Sequence, residues 1–196
     1  MDDLVGDTVK INAAINYAIW AINRIDTLQQ IADSITDYKS VPGRFYYYSS
    51  SAAISPFLDW NRATLNQIIN SGNIRYFKNN ELIKKISDYD KITRVIDAEI
   101  NDDRIYRQKS RELRNEVLIS RYFSLFAATL FQTVPAAVLE QAYPIQAINP
   151  GGLEIFLNSY QNRKSTLYDL HYITIPESRA TAISLIEFLK KEYHLE

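Results

Sequence analysis

The stretch Asn80-Glu81-Leu82-Ile83-Lys84-Lys85-Ile86-Ser87-Asp88-Tyr89-Asp90-Lys91-Ile92-Thr93-Arg94-Val95-Ile96-Asp97-Ala98-Glu99-Ile100 decides the fold class. Leu82, Ile86, Tyr89, Thr93, Ile96 and Ile100 recur in alternating steps of four and three, which places them on one stripe of an α-helix and outside any strand period. Asn79 or Asn80 is positioned to cap the start, since a short polar side chain there accepts the unpaired amides of the first turn. The pattern lapses at Asn101-Asp102-Asp103 and resumes in a new phase through Tyr106, Leu113 and Val117 toward Phe123 and Phe126. A helix over 80–131, broken or bent near 101–103, is therefore expected.

Outward from that stretch, the same period recurs. Ile11, Ile15, Ala18, Ile22, Ile25 and Leu28 form a stripe on a helix expected over 8–39, which Val41-Pro42-Gly43 should end. Ser55 and Pro56 look like the cap and first residue of a helix over 56–71, with Asp59 in its first turn and Gly72 as its left-handed stop. Leu153, Phe156, Leu157, Tyr160, Leu167 and Leu170 outline a helix over 153–173. Thr174 and Glu177 resemble a capping box around Pro176 for a last helix over 176–193. Residues 40–55 and 132–152 are expected to be irregular, the latter around one short helix. No run alternates with period two for long enough to demand a strand. The expectation is an all-α, bundle-like single domain spanning 1–196, with five or six helices, four of them long.

Composition narrows the function. The 196 residues carry 22 basic and 23 acidic side chains, a net charge of −1, so the broad basic footprint of a nucleic-acid binder is missing and no nucleic-acid partner is expected. With no cysteine and only two histidines, disulfides, thiolate chemistry and cysteine-ligated metals are excluded, and a histidine-rich metal site is too. The start, Met1-Asp2-Asp3-Leu4, does not read as a secretory signal. The uncharged run from Tyr122 to Leu139 is interrupted by Ser124, Thr129, Gln132, Thr133 and Pro135, whereas a span needs about 20 mainly apolar residues; it reads as core.

Several clusters are candidates for a site. The run Arg44-Phe45-Tyr46-Tyr47-Tyr48-Ser49-Ser50-Ser51 holds three consecutive tyrosines, which cannot all face a core. Either it crosses the end of the bundle as a cover, or Arg44, Tyr46, Tyr47 and Tyr48 offer contact area and an anion partner to a ligand. Arg104, Arg107, Arg111, Arg114 and Arg121, with Lys109 among them, make a basic stripe, interleaved with Glu112 and Glu116, that is either a salt-bridged solvent face or a surface for an acidic partner. Glu99, Asp102 and Asp103 share a helix face but lack the alternating oxygen ligands and turn glycine of a calcium loop, so no metal site is assigned. His171 and Asp169 stand two apart and face different ways on a helix, so no acid/base relay follows. Trp20 and Trp60 read as packing anchors. No nucleophile elbow, phosphate loop, dinucleotide fingerprint or zinc motif occurs. No catalytic residue and no cofactor is expected.

The string Leu65-Asn66-Gln67-Ile68-Ile69-Asn70-Ser71-Gly72-Asn73-Ile74, then Lys78-Asn79-Asn80-Glu81-Leu82 and Ile86-Ser87-Asp88-Tyr89, resembles a family of small bacterial proteins of unknown function common in Bacteroidota. Phe156-Leu157-Asn158-Ser159-Tyr160 with Arg163-Lys164, and the closing Leu185-Ile186-Glu187-Phe188-Leu189, add to the likeness. In that family one N-terminal membrane span precedes a helical soluble domain. The resemblance implies that these residues are the soluble part of a tethered protein whose span is missing here, on the extracytoplasmic face of the cytoplasmic membrane. It implies no activity for any residue. The functional expectation is a non-enzymatic binding or scaffolding module for a protein or small ligand. The alternatives are a cytoplasmic helical interaction protein, with homodimerisation through a heptad-like stripe as one form, and a helical enzyme using His171, Tyr46 or Tyr47.

Overall fold

A computed structural model describes residues 2–54, 63–70, 77–127, 133–146 and 150–194. The fold is all-α, with four long helices: α1 (Asp2–Asp33), α4 (Asn80–Val117), α7 (Pro150–Asp169) and α8 (Ile175–Tyr193). Shorter helices α2 (Gly43–Ser51), α3 (Ala63–Asn70), α5 (Ser120–Ala127) and α6 (Ala136–Glu140) accompany them. Two three-residue strands, β1 (Ser40–Pro42) and β2 (Ala142–Pro144), pair antiparallel with Val41 opposite Tyr143. The expected span of 1–196 divides into two compact units, one of Met1–Tyr17, Pro56–Ile100 and Asp169–Glu196, the other of Ala18–Ser55 and Asn101–Tyr168.

The first unit is built by the stripe that decided the fold class. Leu82, Ile86, Tyr89 and Ile92 of α4 are buried with Ala182 and Leu185 of α8, and Leu65, Phe188 and Leu189 pack around them. Ile11 and Ala14 of α1 meet Ile96, Leu170 and Ile175 in a second cluster. One buried polar contact crosses between helices: the Tyr89 hydroxyl donates to Asp7 Oδ2 at 2.7 Å. Asn79 is the cap of α4, its Oδ1 accepting from the amides of Glu81 and Leu82.

The second unit has the larger core. Ala21, Ile22, Ile25 and Leu28 of α1 face Phe45 and Tyr46 of α2, Val117 of α4, Phe126 of α5, and Phe156, Tyr160 and Leu167 of α7. Arg163 of α7 and Asp103 of α4, both fully buried, form an ion pair within it, Nε to Oδ1 at 2.7 Å.

Several boundaries depart from expectation, each for a local reason. α1 starts at Asp2 and stops at Asp33, not near 39. The Ser34 hydroxyl donates back to the Ile31 carbonyl, and Asp37 then accepts from Lys39 N and Ser40 Oγ to shape the turn into β1. Residues 40–51 are not irregular as expected: Pro42 and Gly43 begin α2 instead of ending α1. α4 passes through 101–103 unbroken, because Asp103 fills the lapse in the apolar pattern by turning inward to Arg163. The break comes at Leu118, which leaves the helix to bridge Ile145. Thr174 does not cap a separate helix: it is helical, and its hydroxyl donates to Glu99. A π-helical turn, Leu170–Thr174, joins α7 to α8 without interruption. The expected cap at Ser55 and Pro56 and the stop at Gly72 lie outside the described residues.

Candidate functional site

The tyrosine run separates by helical geometry. On α2, Phe45, Tyr46 and Ser49 turn inward, while Arg44, Tyr47 and Tyr48 are half-buried. Tyr46 is fully buried among Tyr122, Phe123, Phe126 and Tyr143, with ring centroids 5.5–6.1 Å away. Its hydroxyl donates to the Pro144 carbonyl at 2.7 Å and accepts from the Ile119 amide at 3.1 Å. Burial pushes this phenol above its ordinary proton affinity, and the Ile119 amide offsets only part of that. Tyr46 is thus a structural hub, not a contact residue.

Tyr47 and Tyr48 stand on the other side of the same helix. Their rings meet edge to face at 5.2 Å, and the guanidinium of Arg24 lies 5.2 Å and 5.0 Å from the two ring centroids. It also lies 4.8 Å from the Trp20 ring, one turn earlier on α1. Three aromatic faces therefore hold one cation, an arrangement worth about 0.5–1 kcal/mol per exposed contact. Among the described residues no carboxylate pairs with Arg24.

Beside this platform runs a groove of 450 Å³, lined by Thr27 and Ser34 of α1, Arg44 and Tyr48 of α2, and Glu140 of α6. Arg44 makes a long ion pair with Glu140, 3.6 Å, with both side chains substantially exposed. Such a pair contributes under about 1 kcal/mol. The Arg44 Nε is buried and has no acceptor among the described residues.

The basic stripe does not act as one surface. Arg111 donates to the Ala53 carbonyl at 3.2 Å. Arg114 lies 4.2 Å from the Phe123 ring, its proton affinity lowered by burial. Arg121 lies over Tyr122 and donates to its hydroxyl. Arg107 is half-buried, and burial followed by the neighbouring Arg111 lowers its affinity for a proton. Arg104 is exposed.

The acidic trio is dispersed in role: Glu99 accepts from Thr174, Asp103 pairs with Arg163, and Asp102 is exposed. No cluster of metal-ligating side chains forms among the described residues. His171 sits on the π turn against Tyr172, ring centroids 4.3 Å apart, with its Nδ1 buried and unpartnered among the described residues. Desolvation lowers its proton affinity. Among the described residues nothing ionisable is brought to hydrogen-bond distance of it, so no nucleophile and base meet there among them. Trp60 lies outside the described residues. A second groove, of 790 Å³, runs in the first unit between α4 and α8, with Lys85, Asp88 and Lys91 facing Glu177 and Ser184.

Two residues of the aromatic site escaped the sequence reading. Trp20 looked like a packing anchor, and Arg24 belongs to none of the clusters that the sequence singles out. The available signal was their spacing of four on α1, which stacks an arginine on a tryptophan. Among the described residues no helix is long and apolar enough to cross a membrane. Comparison with protein families, with curated proteins and with solved structures finds no match to this chain.

Proposed function

We propose that this chain is a non-enzymatic binding or scaffolding module, held at the extracytoplasmic face of the cytoplasmic membrane by a span that precedes it in the natural protein. The observation that carries the binding reading is the platform of Trp20, Tyr47 and Tyr48 holding Arg24 beside an open groove. Tryptophan, tyrosine and arginine are the side chains that dominate binding energy at interfaces, because they bring large rigid area and directional hydrogen bonds at small entropic cost. The tethered location rests on the family resemblance alone. The heptad-like stripes favour a partner other than a second copy, since Ile11, Ile22, Ile25, Leu28, Leu82, Ile86 and Ile96 are all buried within the chain.

The test uses the full-length protein in its own cells. A photo-crosslinking residue at Tyr48 should give a discrete adduct that the same residue at exposed Asp102 does not. A chain without native cysteine also permits a single Asp102→Cys substitution as a compartment reporter. It should react in intact cells with a thiol reagent that cannot cross the cytoplasmic membrane. Labelling only after lysis overturns the location, and identical crosslinking from both positions overturns the binding site.

A further inference from the structure

We infer that the groove beside Arg24 receives an acidic peptide segment, whose carboxylates are bound by Arg24 and Arg44; this rests on the binding-module reading above. Arg24 is a cation whose guanidinium carbon lies 4.8–5.2 Å from three ring centroids, and among the described residues its N–H groups donate to no acceptor. Edge-on N–H groups in that fork geometry match a carboxylate, and among the described residues none is supplied by the chain.

Arg44 is the second cation, and it lines the groove itself. It already meets one carboxylate, Glu140, at the long distance of 3.6 Å, and its Nε lacks an acceptor among the described residues. An incoming carboxylate can replace Glu140, whose side chain is 63% exposed and loses little on release. Tyr48 joins the two cations, lying under Arg24 and lining the groove that Arg44 borders. Thr27, Gln30 and Ser34 continue the lining along α1 with hydroxyl and amide groups, which suit the backbone of an extended peptide.

A peptide is favoured over a lipid surface by the surroundings. Asp26, Asp33 and Asp37 lie on or just beyond the same end of α1, and the whole chain has a net charge of −1. Long-range attraction to an anionic bilayer is weak under those conditions, whereas two arginine forks still select a carboxylate at short range.

The experiment titrates the purified chain with three probes: a short peptide alternating glutamate and glycine, its glutamine counterpart, and vesicles containing phosphatidylglycerol. Inorganic phosphate is a fourth arm. Binding is read from the NMR signals of arginine Nε–H groups and of the tyrosine rings. The glutamate peptide should bind and shift Arg24 and Tyr48, and the glutamine peptide should not. Arg24→Gln should weaken that binding about tenfold or more, with Arg24→Lys intermediate because a point charge lacks the fork. Arg44→Gln provides a second variant should Arg24→Gln disturb packing, and Arg104→Gln should leave binding unchanged. Equal affinity for both peptides, or for phosphate and the glutamate peptide, overturns the inference, as does preference for vesicles. If the Tyr48 adduct forms in cells while the glutamate peptide fails to bind, the binding module stands and its acidic occupant falls. If neither occurs, both fall.

Discussion

Arg163 and Asp103, sixty residues apart in sequence, form a two-pronged ion pair sealed from solvent: Nε reaches Oδ1 at 2.7 Å and a terminal nitrogen reaches Oδ2 at 3.3 Å. Two further guanidinium hydrogens go to the carbonyls of Ala52 and Ile54, just beyond α2. One side chain thus ties α4, α7 and the exit of α2 together. Removing only the acid leaves a buried cation with no counter-charge among the described residues, and Arg107 nearby adds repulsion. Asp103→Ala should therefore destabilise by about 3–5 kcal/mol. A urea unfolding series should show the loss as a lower midpoint at unchanged slope. An Asp103→Leu/Arg163→Met double substitution should recover part of it, short of full recovery because two carbonyls lose their donor.

Tyr46 and Tyr48, two positions apart on α2, should behave oppositely when shortened to phenylalanine. The Tyr46 hydroxyl satisfies one backbone acceptor and one backbone donor at once, on Pro144 and Ile119. Tyr46→Phe strands both, at a cost of about 1–3 kcal/mol. Among the described residues the hydroxyl of the half-buried Tyr48 has no hydrogen-bond partner, and its ring packs with Tyr47 and Arg24. Tyr48→Phe should fall within about 0.5 kcal/mol of the parent. Thermal unfolding of the two variants side by side checks the contrast.

Gly43 opens α2 in a space with no room for a side chain. A Cβ there would stand 2.3 Å from the Val138 carbonyl oxygen and 2.8 Å from the Tyr143 ring. The first obstacle is backbone, which cannot rotate aside. The Gly43 amide also donates to the Gln141 carbonyl at 2.8 Å, so moving α2 away from α6 breaks that bond. Gly43→Ala should cost about 1–3 kcal/mol or more, the range of overpacking. Gly6, whose Cβ would meet nothing within 4 Å, is the control: Gly6→Ala lies inside a helix and should stabilise by about 0.5–1 kcal/mol.

What could be read from the sequence followed from local repetition. Leu82, Ile86, Tyr89, Thr93 and Ile96 repeat every three or four residues, and all five are buried on one side of α4. Asn79 announced its own cap by residue type and position. What could not be read depends on partners distant in the chain. Asp103 looked like a gap in the apolar pattern because its compensation, Arg163, lies on another helix. β1 and β2 are three residues each, too short for a period of two to register. The α2 helix was hidden by serines and tyrosines, which favour helix weakly and are recruited here by the burial of Phe45 and Tyr46. The split of the tyrosine run into buried and half-exposed members was foreseeable in kind, but which tyrosine went inward required the helix to be known.

His171 makes stability depend on pH in a definite direction. Its imidazole is partly desolvated on the π turn, with Nδ1 buried and unpartnered among the described residues, so its proton affinity falls below the ordinary 6.5 on folding. The unfolded chain then binds the proton more tightly than the folded one. Stability from this group is fully present above about pH 6.5, is lost as pH falls toward the folded-state value, and levels off below it. Carboxylates begin to titrate at the lower end of the same range, so the informative quantity is the difference between the parent and His171→Gln. Urea midpoints from pH 7.5 downward should converge as acid is added, with the parent losing stability faster through the window below about pH 6.5. Parallel curves for the two proteins would mean that the folded chain solvates His171 as well as water does.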